Sequence, residues 1–373
     1  MILPANIQLT LQRHQQLIDT ALRSAVATIT AQVNTPELAS FYGQMQYHLG
    51  WMDADFVPTR NDPGKLLRPT LLLLSYEAAG AWEIPTNGTP ASSYLQRALP
   101  AASAIELTHN FTLIHDDIED GDTQRRHRTT LWKVWDVPQA INTGDGMYAL
   151  SRLVLWGILD HGVEGTLATR LGALLDRTCL MIAEGQHLDI NFEMHQDISV
   201  SMYLDMIQRK TGILMECATE MGALLGTRDQ ETVLRLRDFG RAIGRAFQVR
   251  DDILGVWASN AELGKTASGD IYRRKKSLPI LHALEQASPD DRQYLQSVYQ
   301  QTSPVTDEQV AHVLDIFEHT RTEQYCRAFL QQHCQHAREA LAHIPHNTSP
   351  VSARALDDLA TLVLFIEQAT KSE

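Results

Sequence analysis

The stretch Leu113-Ile114-His115-Asp116-Asp117-Ile118-Glu119-Asp120-Gly121-Asp122-Thr123-Gln124-Arg125-Arg126 decides how the rest of the chain is read. Five acidic residues fall within seven positions and two arginines follow. Upstream, Ala102, Ile105, Leu113 and Ile114 recur at helical spacing from Pro100 onward, and Gly121 is a natural stop, so the carboxylates occupy the last turn of a helix. The helix dipole places partial negative charge at that end, and Asp116 and Asp120 stand at i,i+4, where like charges repel by about a few tenths of a kcal/mol. A cation is therefore expected there. Hard divalent metals prefer carboxylate oxygen, and Mg²⁺ takes one or two carboxylates together with phosphate oxygens and waters.

An acidic helix end can also be merely solvated. A second copy weighs against that reading, because Phe247-Gln248-Val249-Arg250-Asp251-Asp252-Ile253-Leu254-Gly255 again closes an apolar helix on paired aspartates just before a glycine. Two such ends facing each other across one cavity would hold a cluster of metals, and a diphosphate is the ligand that suits such a cluster.

The chain has 373 residues and a net charge of −13. That charge argues against a nucleic-acid partner, whose phosphates would be repelled. Four cysteines (Cys179, Cys217, Cys326, Cys334) show no CxxC spacing and read as reduced core thiols of a cytoplasmic protein. The N-terminus is an amphipathic helix without a signal-peptide core, and no apolar run is long enough to span a membrane.

Helical periodicity is expected over 6–33, 36–52, 67–80, 98–120, 144–161, 165–192, 200–226, 229–256, 277–286, 289–300, 306–342 and 351–370, with no convincing strand. Pro58, Pro63, the run from Pro85 to Pro90, Pro138, Asn260 to Gly269 and Ser303-Pro304 mark breaks. None resembles an interdomain linker, so one all-α domain over 1–373, built as a helical bundle, is the economical organisation.

Around the two acidic ends stand further polar groups. Lys65 and Arg68, three apart at the mouth of the apolar run Leu71–Leu74, can reach one anion. His109 precedes Asp116 by seven residues, two turns deeper on the same face. Arg125 and Arg126 offer guanidinium forks suited to phosphate. Gln186 and Asp189 share a helix face, and Lys210-Thr211 interrupts an apolar helix, where a buried lysine would need a partner. Gln248 lies one turn before Asp251. Lys265 sits on a glycine-containing loop suited to a lid. The run Arg273–Lys276 and the histidines 333, 336, 343 and 346 read as solvated surface, with no zinc spacing.

The order GKxxRP, His seven before DDxxD, RR, KT, FQxxDD, GK resembles the trans-isoprenyl diphosphate synthases, the polyprenyl synthetase family that includes farnesyl and geranylgeranyl diphosphate synthases. The resemblance covers roughly residues 60–280. It implies an isoprenoid synthase-type bundle around a deep central cavity, a homodimer, and three Mg²⁺ ions. Asp116, Asp120 and Asp251 would be the metal ligands, with Asp117 and Asp252 orienting them. Arg125, Lys210, Lys265 and Gln248 would hold an allylic diphosphate (dimethylallyl, geranyl or farnesyl). Lys65, Arg68, His109 and Arg126 would hold isopentenyl diphosphate. Gln186, Asp189, Thr211 and Lys275 match positions lining the site or its lid.

In this family the residues four and five before the first aspartate govern product length. Here they are Thr112 and Phe111, one ring beside a small residue, and a C20 product is expected over C15. One departure stands out: Gly255 replaces the third aspartate common in the second motif. Catalysis is expected to survive it, because Asp251 is the expected ligand. Two rivals remain. A class I terpene cyclase of the same fold would not need Lys65, Arg68, His109 and Arg126. A non-catalytic regulatory subunit would be expected to lose part of an aspartate motif.

Overall fold

The run Leu71–Leu74 that follows the first basic pair folds as the centre of the molecule. A computed structural model of the chain describes residues 5–32, 35–59, 64–81, 94–195, 197–258, 268–345 and 349–368. Its helices are α1 (Ala5–Thr30), α2 (Ala39–His48), α3 (Leu67–Ala78), α4 (Leu99–Glu119), α5 (Leu131–Trp135), α6 (Val137–Trp156), α7 (Gly165–Met194), α8 (Val200–Ile207), α9 (Ile213–Gly226) and α10 (Gln230–Trp257). After them come α11 (Gly269–Tyr272), α12 (Leu278–Gln286), α13 (Pro289–Gln300), α14 (Asp307–His319), α15 (Thr322–Ala342) and α16 (Pro350–Gln368).

Helices α3 and α9 are buried almost all round, as helices apolar on every face must be. They approach closely because α9 carries Gly222 and Gly226, whose missing side chains would fall on the Leu72 and Tyr76 carbonyls of α3. Around this pair, α1, α4 and α16 pack on α3, and α7 and α10 pack on α9. α1 buries Ile7, Leu11, Ile18, Leu22 and Val26. It is tied to α3 and α16 through the buried Glu77, which receives Arg13 and Tyr94 and pairs with His14 at 3.0 Å, while Arg13 also binds Asp358. All four cysteines are free and buried. Among the described residues no helix is long and apolar enough to cross a membrane.

Several expected boundaries move. Pro138 is not a break but the opening of α6, at the first turn, where its missing N–H costs nothing; the Asp136 carboxylate caps this helix by accepting from Gln139 N at 3.0 Å. The expected helix over 306–342 is two helices, separated where Arg321 adopts φ +54°. The stretch 200–226 holds a π-turn at Gln208–Gly212. A two-stranded hairpin, β1 (Gln124–Arg125) and β2 (Arg128–Thr129), follows α4 where no strand was expected. The helix expected over 229–256 stands as α10, Gln230–Trp257, with Gly255 inside its last turn. Of the basic run, Lys276 is not solvated surface: it donates to the Phe192 and His195 carbonyls at 2.9 and 2.6 Å, neutralising the end of α7. His333 is buried against Phe329, and burial with nearby Arg245 lowers its pKa to about 4.

Candidate active site

α4 ends as its sequence dictates. Asp120 caps it, and Gly121 takes the left-handed conformation, φ +67°, that favours glycine. Asp116 and Asp120 therefore stand one turn apart on one face, and desolvation together with the Asp120 charge raises the Asp116 pKa to about 6, against the opposing pull of Lys210. Asp117 points inward and is 1 % exposed. It accepts from Arg125 Nε at 2.5 Å, while its second carboxylate oxygen has no hydrogen-bond partner, and burial raises this group also to about 6.

The π-turn sets the other wall. An extra residue in one turn swells a helix locally, and such bulges recur at functional sites. Here it lies between two glycines on neighbouring helices. A side chain on Gly185 of α7 would fall on the Lys210 backbone, and one on Gly244 of α10 would meet Gly212 Cα at 2.8 Å. Lys210 thereby projects from the junction, donates to Asp189 of α7 at 2.6 Å, and acts electrostatically on Asp116 and Asp120. Thr211 is half-buried on the same turn. Gln186 of α7 donates to Glu119 of α4 at 2.5 Å.

On α10, Asp251 and Asp252 diverge. Asp252 is fully buried and accepts from Tyr203 Oη at 2.5 Å, Lys275 Nζ at 3.2 Å, Gln248 Nε2 at 3.4 Å and Leu278 N at 3.4 Å. Asp251 is 46 % exposed; desolvation raises its pKa, opposed chiefly by Arg250 and, less, by Lys275 and Lys65. Lys275 also lies 3.7 Å from Asp270, and these two carboxylates outweigh its burial and keep it charged. The Asp270 carboxylate occupies the space that a side chain at position 255 would fill. That is why α10 carries a glycine there.

The first basic pair joins the two ends. Arg68 Nη1 lies 3.0 Å from His109 Nε2 on α4, and the charge of Arg68 interacts with Asp251 on α10. Burial and the charges of Arg68 and Arg126 hold His109 well below its ordinary pKa, so it is neutral and accepts from the guanidinium. Arg126 stacks under the GK loop, 3.0 Å from where a Gly64 side chain would begin. The turn that presents it is strained: Arg126 and His127 both have positive φ, +49° and +61°, the two central positions where a tight hairpin ordinarily takes Asn-Gly. Beneath this cluster Glu106 is buried and accepts from Asn110 at 2.8 Å.

Below Asp116 a cavity of about 280 Å³ opens between α4 and α7, lined among others by Phe111, Thr112, Cys179, Ile182 and Ile190. Phe111 is backed by Tyr148 of α6, edge to face at 5.2 Å. Lys265 lies outside the described residues. The other expected residues gather around these two helix ends. Tyr203, Asp270 and Glu106 belong to the same networks and were not singled out by sequence, because nothing local marks a residue whose partner lies across the fold.

The donor set suits magnesium rather than a softer metal. It is all carboxylate oxygen, and the raised pKa values of Asp116 and Asp251 report charge that a cation would relieve. Among the described residues no group of three or more His, Cys, Asp or Glu side chains stands close enough together to hold a metal ion by itself.

The comparisons with known proteins agree with this geometry. A family model described as Polyprenyl synthetase matches residues 52–317. A short chain isoprenyl diphosphate synthase from Methanothermobacter thermautotrophicus is 36 % identical over 278 residues, 74 % of this chain and 80 % of the relative. A geranylgeranyl diphosphate synthase from Mycobacterium tuberculosis is 37 % identical over 260 residues, covering 70 % and 69 % of the two chains. A (2E,6E)-farnesyl diphosphate synthase from Mycobacterium bovis is 34 % identical over 322 residues, covering 86 % and 84 %. The crystal structure of a polyprenyl synthetase from Streptomyces coelicolor superposes with a TM-score of 0.81 at 32 % identity, covering 96 % of this chain and 99 % of that one. The fold is thus the all-α isoprenoid synthase fold, and the chain belongs to the polyprenyl synthetase family of prenyltransferases.

Proposed function

We propose that this protein condenses isopentenyl diphosphate head-to-tail with an allylic diphosphate, giving a longer all-trans prenyl diphosphate of twenty carbons. The observation that supports the reading is that Arg68, 3.0 Å from His109 of α4, also feels the charge of Asp251 on α10, while Asp116 borders a largely apolar cavity. Asp116, Asp120 and Asp251 would hold Mg²⁺, three ions by family resemblance. When bound, the metal supplies charge stabilisation to a departing diphosphate.

The chain's own groups do the rest. Lys210, Arg125, Lys265 and Gln248 hold the allylic diphosphate, and Thr211 lines that wall. Lys65, Arg68, His109 and Arg126 hold the acceptor's diphosphate and so fix its double bond within reach of the allylic C1. As the C1–O bond breaks, the allylic cation is shielded from water by the apolar wall. The double bond attacks it, and a proton leaves to the departed pyrophosphate, the nearest base. Asp117 and Asp252 orient their neighbours, Lys275 supports Asp252, and Gln186 and Asp189 position α7. The growing tail runs into the cavity against Phe111, and Thr112 beside it leaves room beyond fifteen carbons.

Exposed apolar side chains on α6 and α7, Ile141, Leu153, Trp156 and Leu180, suit a second copy of the chain, and we place the homodimer in the cytoplasm. The test is incubation of purified protein with Mg²⁺, isopentenyl diphosphate and each allylic primer, with product length read by mass. Elongation to C20 is expected. A cyclic product from one allylic substrate alone would indicate a cyclase, and no elongation with any primer would end the proposal.

A further inference from the structure

A histidine from outside the stretch that the family model matches shares a cavity with Arg126, one of the four groups assigned to the acceptor. α2 ends at His48, and the matched stretch begins at residue 52. His48 borders a cavity of about 200 Å³ together with Asp117, Arg125, Arg126 and Arg128. Asn110 of α4, whose buried Oδ1 has no hydrogen-bond partner, and His109 beside it are the neighbours of His48.

The placement is built, not incidental. One residue earlier, Tyr47 donates its hydroxyl to the Thr129 carbonyl at 2.7 Å. The Arg128 guanidinium stacks 4.0 Å from the Tyr47 ring and donates to the Tyr47 and Met52 carbonyls at 2.6 and 2.7 Å. The last turn of α2 and the hairpin that presents Arg126 are therefore one rigid unit. Burial first, then the charges of Arg126, Arg125 and Arg128, press the His48 pKa down to about 3, so the ring is neutral and keeps one N–H. A neutral donor ringed by three guanidinium groups gains little from them until an anion arrives.

We propose that His48 is a further substrate-contacting residue, donating an N–H to the diphosphate of the acceptor beside Arg126. This rests on the reading that isopentenyl diphosphate binds at Lys65, Arg68, His109 and Arg126.

The test compares wild type with His48→Ala and His48→Asn in the full-length protein. With Mg²⁺ and an allylic primer, His48→Ala is expected to raise KM for isopentenyl diphosphate on the order of tenfold while the primer's KM and kcat hold, as for one lost bond to a charged group. His48→Asn, which keeps a side-chain N–H, should recover most of the loss. Calorimetric titration with isopentenyl diphosphate alone, where no turnover occurs, should show the same ratio. Unchanged KM and Kd in His48→Ala overturn the proposal. So does equal weakening of both substrates, or loss in both variants with a lowered melting temperature, since those outcomes mark packing. If His48→Ala does not fold, the titration of His48→Asn against His48→Gln decides, and wild-type affinity in neither overturns it. A wild type that binds the acceptor without elongating any primer would fault the function reading and leave the His48 titration interpretable.

Discussion

At the end of α4 the second aspartate of the pair, Asp117, has one bond to Arg125 and one oxygen without a partner; at the end of α10 its counterpart, Asp252, is bonded by Tyr203, Gln248, Lys275 and the backbone of Leu278. The first aspartates, Asp116 and Asp251, are alike in having a raised pKa. Two ends that look like copies in sequence thus share their outer carboxylates and differ in their inner ones. On α10 the protein itself satisfies the inner group. On α4 that group depends on an arginine that the family resemblance also assigns to the allylic diphosphate. The α10 end is held by the protein's own groups, and on the proposed function the α4 end would be completed by a bound diphosphate.

The largest expected effect tests the outer pair. Asp116→Asn and Asp251→Asn should each lower turnover by about 10³-fold without destabilising the fold, since neither carboxylate holds the core together. Asp252→Asn should instead destabilise the protein by about 1–3 kcal/mol, because the amide takes away half of the buried acceptor that Tyr203 Oη and Leu278 N share. Equal melting temperatures for Asp251→Asn and Asp252→Asn would erase the distinction between inner and outer groups.

A smaller effect depends on pH. The pKa values of Asp116 and Asp117 are raised to about 6 in the fold, so the folded state binds protons more tightly than the unfolded chain. Their stabilising contribution is complete below about pH 4 and is lost as pH rises through about 6. Without metal, Asp116→Asn should melt with wild type at pH 4 and exceed it by a few degrees at pH 7, on the order of 2 kcal/mol. Mg²⁺ with pyrophosphate should raise the wild-type melting temperature more than the variant's. A pH-independent difference would remove desolvation as its cause.

Gly255→Asp restores the familiar third aspartate and should do harm. The new side chain meets the Asp270 carboxylate, so a loss of about 1–3 kcal/mol is expected from overpacking and like charge. Gly255→Asp with Asp270→Gly should regain part of it in denaturant titrations. A stable single variant would show that Asp270 swings away freely. The smallest change concerns the cavity: Phe111→Ala should shift products toward longer chains with little loss of stability, and an unchanged product distribution would exclude this ring as the stop.

What could be read beforehand follows from how local each feature is. The end of α4 was legible because carboxylates at i,i+4, an apolar face and a left-handed glycine all lie within one short segment. Asp251 and Asp252 were legible as a pair but not as a divided one, since Tyr203 and Lys275 reach Asp252 from other elements. Gly255 stands out in the sequence only as a departure from the family's third aspartate, because its reason, Asp270, lies beyond the next loop. The hairpin went unseen because it is held in a two-residue turn by arginine and histidine, which carry no turn signal. Pro138 reads as a break from the sequence alone because proline opens a helix as readily as it ends one.

The π-turn at Gln208–Gly212 has a consequence for anyone altering this stretch. One surplus residue shifts the angular phase of all that follows by about 100°. Deleting it would give a smoother, more regular rod and would still aim Lys210 and every residue of α9 at the wrong neighbours. Regularity here is the enemy of register, and an alignment that closes the gap on grounds of helical tidiness would compare the wrong faces.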